Sequence, residues 1–208
     1  MKLTNRLLIT FGASSLALAL LSGCALTKDY CSLSYAPQTN VARIKGAEAV
    51  KVKIELADRR TIKDKVSVKK NGYGMEMADI ISKEDVGVTV KNALVTELTN
   101  RGFSPAGGDV LVLAELSKFY NDFKIGFFTG DAVAEVSMNI QVKRNDGSIT
   151  FSKIVNGNGV NKNVMLASGS NAKVALEAAL VDAVAKLFED VSFTEALLKS
   201  AASPKNGT

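Results

Sequence analysis

No histidine occurs among the 208 residues, and there are only two cysteines and three prolines. Histidine is the side chain that ordinarily titrates between pH 5 and 8, and it is the commonest metal ligand. Its absence excludes a serine or cysteine nucleophile that relies on it, and it removes the usual metal clusters. No G-x-S-x-G elbow, no P-loop and no clustered Cys spacing is present. Asp122, Asp131, Glu135 and Asp146 lie near expected strands, but carboxylates that flank strands are mostly solvated and make a poor acid–base pair. The expectation is a non-enzymatic protein with no cofactor and no metal.

The N-terminus is richer. Lys2 and Arg6 form a short basic segment, an apolar run follows from Leu7 to Leu21, and the chain then reads Leu21-Ser22-Gly23-Cys24. That three-part form is a secretory signal. The run is interrupted by Thr10, Gly12, Ser14 and Ser15, whereas a spanning helix needs about 20 mostly apolar residues. The last four residues resemble the lipobox, which directs diacylglyceryl transfer to a cysteine sulfur, here Cys24, before cleavage. Within that resemblance Ala25, standing where Asp favours inner-membrane retention, points to the outer membrane and a domain facing the periplasm. Stable anchoring takes more than one acyl chain.

Removing the 23-residue signal leaves 185 residues, and loss of Lys2 and Arg6 lowers the formal charge from +5 to +3. So mild a basicity makes no case for a nucleic-acid partner. Residues 24–43, polar and containing Pro37, read as a lipidated N-terminus and tether. Cys31 is then an odd thiol in that tether, either idle or reactive.

A single domain is expected over 44–200, followed by a disordered tail at 201–208. Val50, Val52, Ile54 and Leu56 alternate with polar residues as a half-buried strand, ended by Asp58-Arg59-Arg60. A shorter alternation surrounds Val66 and Val68, before the loop Lys69-Lys70-Asn71-Gly72-Tyr73-Gly74. A helix is marked from Glu84 to Arg101, with Ser82 as cap, an apolar stripe through Val90, Leu94 and Leu98, and Gly102 as its stop. Val110 to Tyr120 reads as a strand covered on both faces. Ala132 to Val142 and Ile149 to Val155 form a hairpin around Asp146-Gly147, a favoured two-residue turn. Asn156 to Ser170 is rich in Asn and Gly and reads as loop with room for one short strand. A second helix runs from Ala172 to Asp190 with Asn171 as cap, and a short last helix starts at Ser192. Together these predict an α+β domain, a mainly antiparallel sheet of four or five strands with two main helices packed on one face.

The lipobox, Asp58-Arg59, the Lys69–Gly74 loop, the stretch from Ser82 to Arg101-Gly102-Phe103 and the later hairpin and helix resemble, as an ordered set, the YajG-like family of uncharacterised lipoproteins. The resemblance covers nearly the whole mature chain. It implies an envelope-anchored α+β domain and supplies no catalytic residue.

Two features are candidate interaction surfaces. Arg59 and Arg60 belong to a lysine-rich region and suit carboxylate or phosphate recognition, or simply close a strand end with a salt bridge. Phe127 and Phe128 stand between Gly126 and Gly130 where a chain reversal normally calls for polar residues. They need either a core pocket or a partner. The chain thus reads as an accessory or assembly factor that binds another envelope component, an envelope protein being the expected partner. The alternative is an auxiliary carrier of a lipid or small amphiphile, which calls for a large apolar cavity between sheet and helices.

Overall fold

The computed structural model describes residues 26–105 and 107–201. Seven strands and three helices follow in the order β1 (Asp29–Cys31), β2 (Val52–Asp58), β3 (Ser67–Lys70), β4 (Glu76–Ser82), α1 (Val86–Asn100), β5 (Val110–Ile125), β6 (Gly130–Arg144), β7 (Ile149–Val164), α2 (Gly169–Glu189) and α3 (Val191–Ala201). The α+β class stands. The strands, however, divide between two sheets, a four-stranded one ordered β2-β5-β6-β7 and a three-stranded one ordered β1-β4-β3. Each has one parallel pairing, β2 with β5 and β1 with β4.

The main sheet is built on the β5–β6–β7 meander. Before Ser117 the even residues Val110, Val112, Ala114 and Leu116 face inward; after it Phe119, Asn121 and Phe123 do. The phase changes because the register with β6 shifts between Leu116 and Lys118, a bulge that leaves Ser117 exposed. β2 ends at the same level, Asp58 lying opposite Leu116. Beyond it the edge of β5 is taken up by the smaller sheet, where the Asn121 N–H donates to the Val66 carbonyl at 2.8 Å.

Both long helices pack on one face of the main sheet, α1 against β2 and α2 across β7, β6 and β5. Among the described residues no helix packs on the other face, and Leu111 and Leu113 are half-buried there, so the expectation of a doubly covered β5 fails. The apolar stripe of α1 falls where expected, with Val90, Leu94 and Leu98 buried. Its cap is Asp85, which accepts from the Val88 N–H at 2.9 Å, because Ser82 is still in β4. Gly102 ends the helix at φ +98°. Ser168 rather than Asn171 caps α2, and Val174 on its first turns faces solvent.

The stretch from Asn156 is not a loop, since β7 continues to Val164. A Cβ on Gly157 would stand 2.1 Å from the Ala179 carbonyl oxygen, and one on Gly159 would stand 2.1 Å from that of Ala175. These glycines let the alanine-rich face of α2 lie directly on the strand, which is a packing role and not a turn signal.

The described part of the expected tether, 26–43, is also corrected. β1 pairs with β4, and Cys31 is buried with its carbonyl accepting from the Lys83 N–H at 2.9 Å. Burial first, then the charges of Glu84, Asp29 and Glu177, push its thiol up to about 11, so it stays protonated and unreactive at physiological pH. Further along, the Tyr35 hydroxyl and the Gln38 N–H both donate to Glu97 Oε1 at 2.8 Å. Glu97 is fully buried and paired with Arg101, whose guanidinium also donates to Gln38 and lies 4.2 Å over the Phe188 ring. A polar segment thus reads as a tether in sequence but is stitched down by a buried carboxylate.

Candidate functional site

The four candidate positions at the surface and the anchor fare differently. Cys24 lies outside the described residues. Arg60 is buried, and its Nε and Nη2 both donate to the Asp58 carboxylate, at 3.0 and 2.8 Å. Burial is the strongest single influence on Asp58 and opposes its charge, yet the hydrogen bonds and charge of Arg60 together hold its carboxyl below the usual range. Arg60 is therefore removed from the candidate surface and closes the end of β2. Arg59 is exposed, while its backbone N–H donates to the Leu116 carbonyl at 2.8 Å. The two arginines do not form one surface.

Phe127 and Phe128 are 94% and 86% exposed at the tip of the β5–β6 hairpin, with ring centroids 4.7 Å apart in an edge-to-face arrangement. The turn explains the exposure. The Gly126 N–H donates to the Thr129 carbonyl at 3.0 Å, and a Cβ on Gly126 would come within 2.4 Å of that oxygen, one on Gly130 within 2.6 Å of the Lys124 oxygen. The glycines allow the strands to close tightly, and the two residues between them can only project outward. A tucked-in core role for the rings is excluded by this geometry.

More apolar side chains stand at the same end of the molecule, and sequence reasoning missed them. Met165 and Leu166 leave β7 where Val164 pairs with Gly130, beside the hairpin tip, and both are exposed. Tyr30 and Leu26 are exposed on β1 and just before it. Asp29 Oδ2 accepts from the Gly169 N–H at 2.7 Å, which holds β1 against the start of α2. Met165-Leu166 was assigned to an Asn- and Gly-rich loop, and nothing in its spacing marked it as a surface. The only signal was two large apolar residues in succession just before a helix cap.

The interior of the sheet–helix sandwich is filled where α2 meets β7, since even a methyl group has no room at Gly157 or Gly159. A groove of about 590 Å³ lies outside it, lined by Lys153, Ile154, Lys186, Asp190 and Val191. Beside this groove the free edge of β7 is partly occupied by α2, with Asp182 accepting from the Asn158 N–H at 2.8 Å and Lys186 donating to the Asn156 carbonyl at 3.2 Å. A smaller cavity of about 260 Å³ sits at the β5 bulge among Arg60, Ile62 and Phe119. Among the described residues no helix is long and apolar enough to cross a membrane, and no cluster of three or more His, Cys, Asp or Glu is placed to hold a metal.

The fold has a counterpart among solved structures. A crystal structure of a Xanthomonas campestris protein assigned to the DUF330 family superposes with a TM-score of 0.55 at 12% identity, covering 81% of this chain and 96% of that one. A crystal structure of a Caulobacter crescentus protein described as a lipoprotein gives a TM-score of 0.40 at 12% identity, covering 71% of this chain and 93% of that one. No curated protein matches the sequence. The family described as uncharacterised lipoprotein matches residues 37–198, most of the folded domain, in line with the resemblance carried by the Asp58-Arg59 and Arg101-Gly102-Phe103 segments. The chain belongs to this family of uncharacterised lipoproteins.

Proposed function

We propose that this lipoprotein is a non-enzymatic accessory or assembly factor of the cell envelope, held by lipid on Cys24 and contacting another envelope component through the Phe127–Phe128 tip. The observation that carries the reading is the near-complete exposure of two adjacent phenylalanines. Large aromatics left in water by a folded domain are favoured anchors at buried contacts. Attachment to the outer membrane with the domain in the periplasm follows from the lipobox resemblance and Ala25.

The carrier alternative calls for an apolar cavity in the sandwich. The direct seating of α2 on β7 counts against it, and the open groove by Lys153 and Asp190 is polar-rimmed and shallow for that task.

A photo-crosslinking phenylalanine analogue at position 127 of the lipidated protein, activated in cells, tests the reading. An adduct with one envelope component is expected from position 127 and not from exposed Val88 on α1. Equal adducts from both positions, or none from either, would sink the proposal. Anchoring has its own test. Mass spectrometry of the mature N-terminus should find acylated Cys24, and Cys24→Ala should leave the signal uncleaved by the lipoprotein peptidase.

A further inference from the structure

We propose that the end of the domain bearing Phe127 and Phe128 docks on the lipid surface itself. In that state Leu26, Tyr30, Phe127, Phe128, Met165 and Leu166 sit in the headgroup–acyl boundary of the leaflet that holds the Cys24 lipid. The inference rests on the reading of the tip as a contact surface and of Cys24 as the anchor, and it names the contacted component as the bilayer.

The first support is convergence. These six side chains are between 54% and 94% exposed. They come from the start of the chain, the β5–β6 turn and the exit of β7, which are brought together by the Gly130–Val164 pairing and by the Asp29–Gly169 hydrogen bond. Scattered apolar residues on a surface are ordinary, whereas several gathered at one end mark a membrane or protein contact.

The second support is the start of the described chain. Lys69 Nζ donates to the Thr27 carbonyl at 3.0 Å, and the neighbouring Lys70 Nζ donates to the Phe123 carbonyl at 3.2 Å. Thr27 is thereby tied to β3, and β3 to the last residues of β5, next to the hairpin tip. Only three residue steps separate Thr27 from Cys24, and fully extended they span about 10 Å. The headgroup region of one leaflet is about 5–8 Å deep. A lipid in the bilayer at Cys24 therefore brings Thr27 to the headgroups, and the exposed apolar end comes with it. Once the tether is that short, the nearest available apolar medium for these side chains is the membrane.

The third support is the charge at this end. Asp122 is bonded by both Lys70 and Lys124, each at 2.5 Å, and Asp131 accepts from the Asn163 N–H at 3.0 Å. Basic and acidic groups are interleaved, so apolar burial rather than attraction to anionic lipid drives the docking, and high salt should leave it in place. Aromatic side chains are also those enriched at the membrane–water interface.

The chain has no tryptophan, so one substitution provides a unique fluorophore. Phe127→Trp reports on the tip. Ile149→Trp reports on the opposite end of the main sheet, where Ile149 is exposed beside the Gly147 turn. Both are made in the lipidated protein and reconstituted into vesicles of phosphatidylethanolamine and phosphatidylglycerol. The Phe127→Trp indole is expected to be quenched by brominated acyl chains and shielded several-fold from aqueous acrylamide, at low and high salt alike. The Ile149→Trp indole should show the reverse. If the two indoles respond alike, or the tip is released by salt, membrane docking by apolar insertion is wrong. If the tip is shielded only after an envelope protein extract is added, the contact is a protein and the surface reading survives without the membrane. If the Phe127→Trp indole is already shielded in the unlipidated mature chain, made without the signal and without vesicles, the ring packs on its own domain and both readings fall.

Discussion

The two ends of β5, a 16-residue strand about 50 Å long, solve opposite problems. Near Val110 the molecule buries charge. Glu97 is fully enclosed and satisfied by Tyr35, Gln38 and Arg101, α3 closes over the sheet with Phe193 against Phe151 and Phe188, and the Ile44 N–H donates to the Arg101 carbonyl at 2.9 Å. Near Ile125 the charges are paired on strand surfaces and the large apolar side chains are left in water. The first end spends its interactions on holding the chain to itself. The second withholds them, and a domain that gathers several large uncovered apolar groups at one end has that end available for a contact.

The closed end should therefore be the fragile one. Glu97→Ala leaves Arg101 buried without its carboxylate and Gln38 and Tyr35 without their acceptor, and breaking one partner of a buried pair costs about 3–5 kcal/mol. Burial, and then the hydrogen bond to Glu97, raise the Tyr35 pKa well above its ordinary value. The variant should therefore also lower the Tyr35 titration point. Denaturant melting of the mature chain checks the first effect and ultraviolet titration the second. A loss below about 1 kcal/mol would mean that Arg101 reaches solvent and that the cluster is not what pins residues 35–44.

A smaller loss is expected in the middle of the sheet. Gly159→Ala puts a methyl group against the Ala175 carbonyl and the Ala179 amide, and α2 must move off β7 to admit it. Overpacking of that kind costs about 1–3 kcal/mol. An unchanged melting midpoint would show that α2 rides higher on the strand and that the sandwich has spare volume, which would reopen the carrier reading.

A pH experiment separates the ends at lower cost to the fold. Asp190, between α2 and α3, is held at about 2 by the hydrogen bond from Lys153 first and that from Ser192 next. A carboxylate depressed in the folded state stabilises it above the unfolded pKa of about 3.9 and loses that contribution as pH falls through the folded value. Wild type and Asp190→Asn should differ in melting temperature above about pH 4 and converge toward pH 2. A difference that is constant across this range would assign Asp190 a role independent of its charge.

Much of the core was legible because burial imposes a period. The stripe of α1, the inward face of β6 and the Asp146-Gly147 turn follow directly from spacing, and the α+β class with them. The rest was hidden for physical reasons. In β4 only Ile80 is buried, so no alternation betrays the strand. In β7 the inward positions include Gly157 and Gly159, whose lack of a side chain is their packing function and whose composition imitates a loop. Residues 26–43 are polar because their partners Glu97, Glu84 and Glu177 are polar, and no local pattern announces partners that lie 51 to 143 positions away in the chain. At the candidate site, Phe127 and Phe128 stood out as a local anomaly between two glycines. Leu26, Tyr30, Met165 and Leu166 join them only through the pairing of distant strands, which a single sequence does not display.

The smallest expected change in stability belongs to the open end, and it is the sharpest test of the contrast between the two. Phe127 and Phe128 touch each other edge to face and otherwise face solvent. An exposed aromatic pair contributes about 0.5–1.5 kcal/mol when ordered, and loss of ring freedom offsets part of that. Phe127→Ala with Phe128→Ala should therefore shift unfolding of the unlipidated mature chain, made without the signal, by less than about 1 kcal/mol, while position 127 loses its envelope contact in the lipidated form. Because the turn depends on Gly126 and Gly130 rather than on the rings, the β5–β6 pairing should survive, readable as unchanged amide-exchange protection in Lys124 and Asp131. A loss of several kcal/mol, as cavity formation produces, would mean that the rings are packed in solution. In that event the open end would be closed, and the contrast on which both proposals rest would disappear.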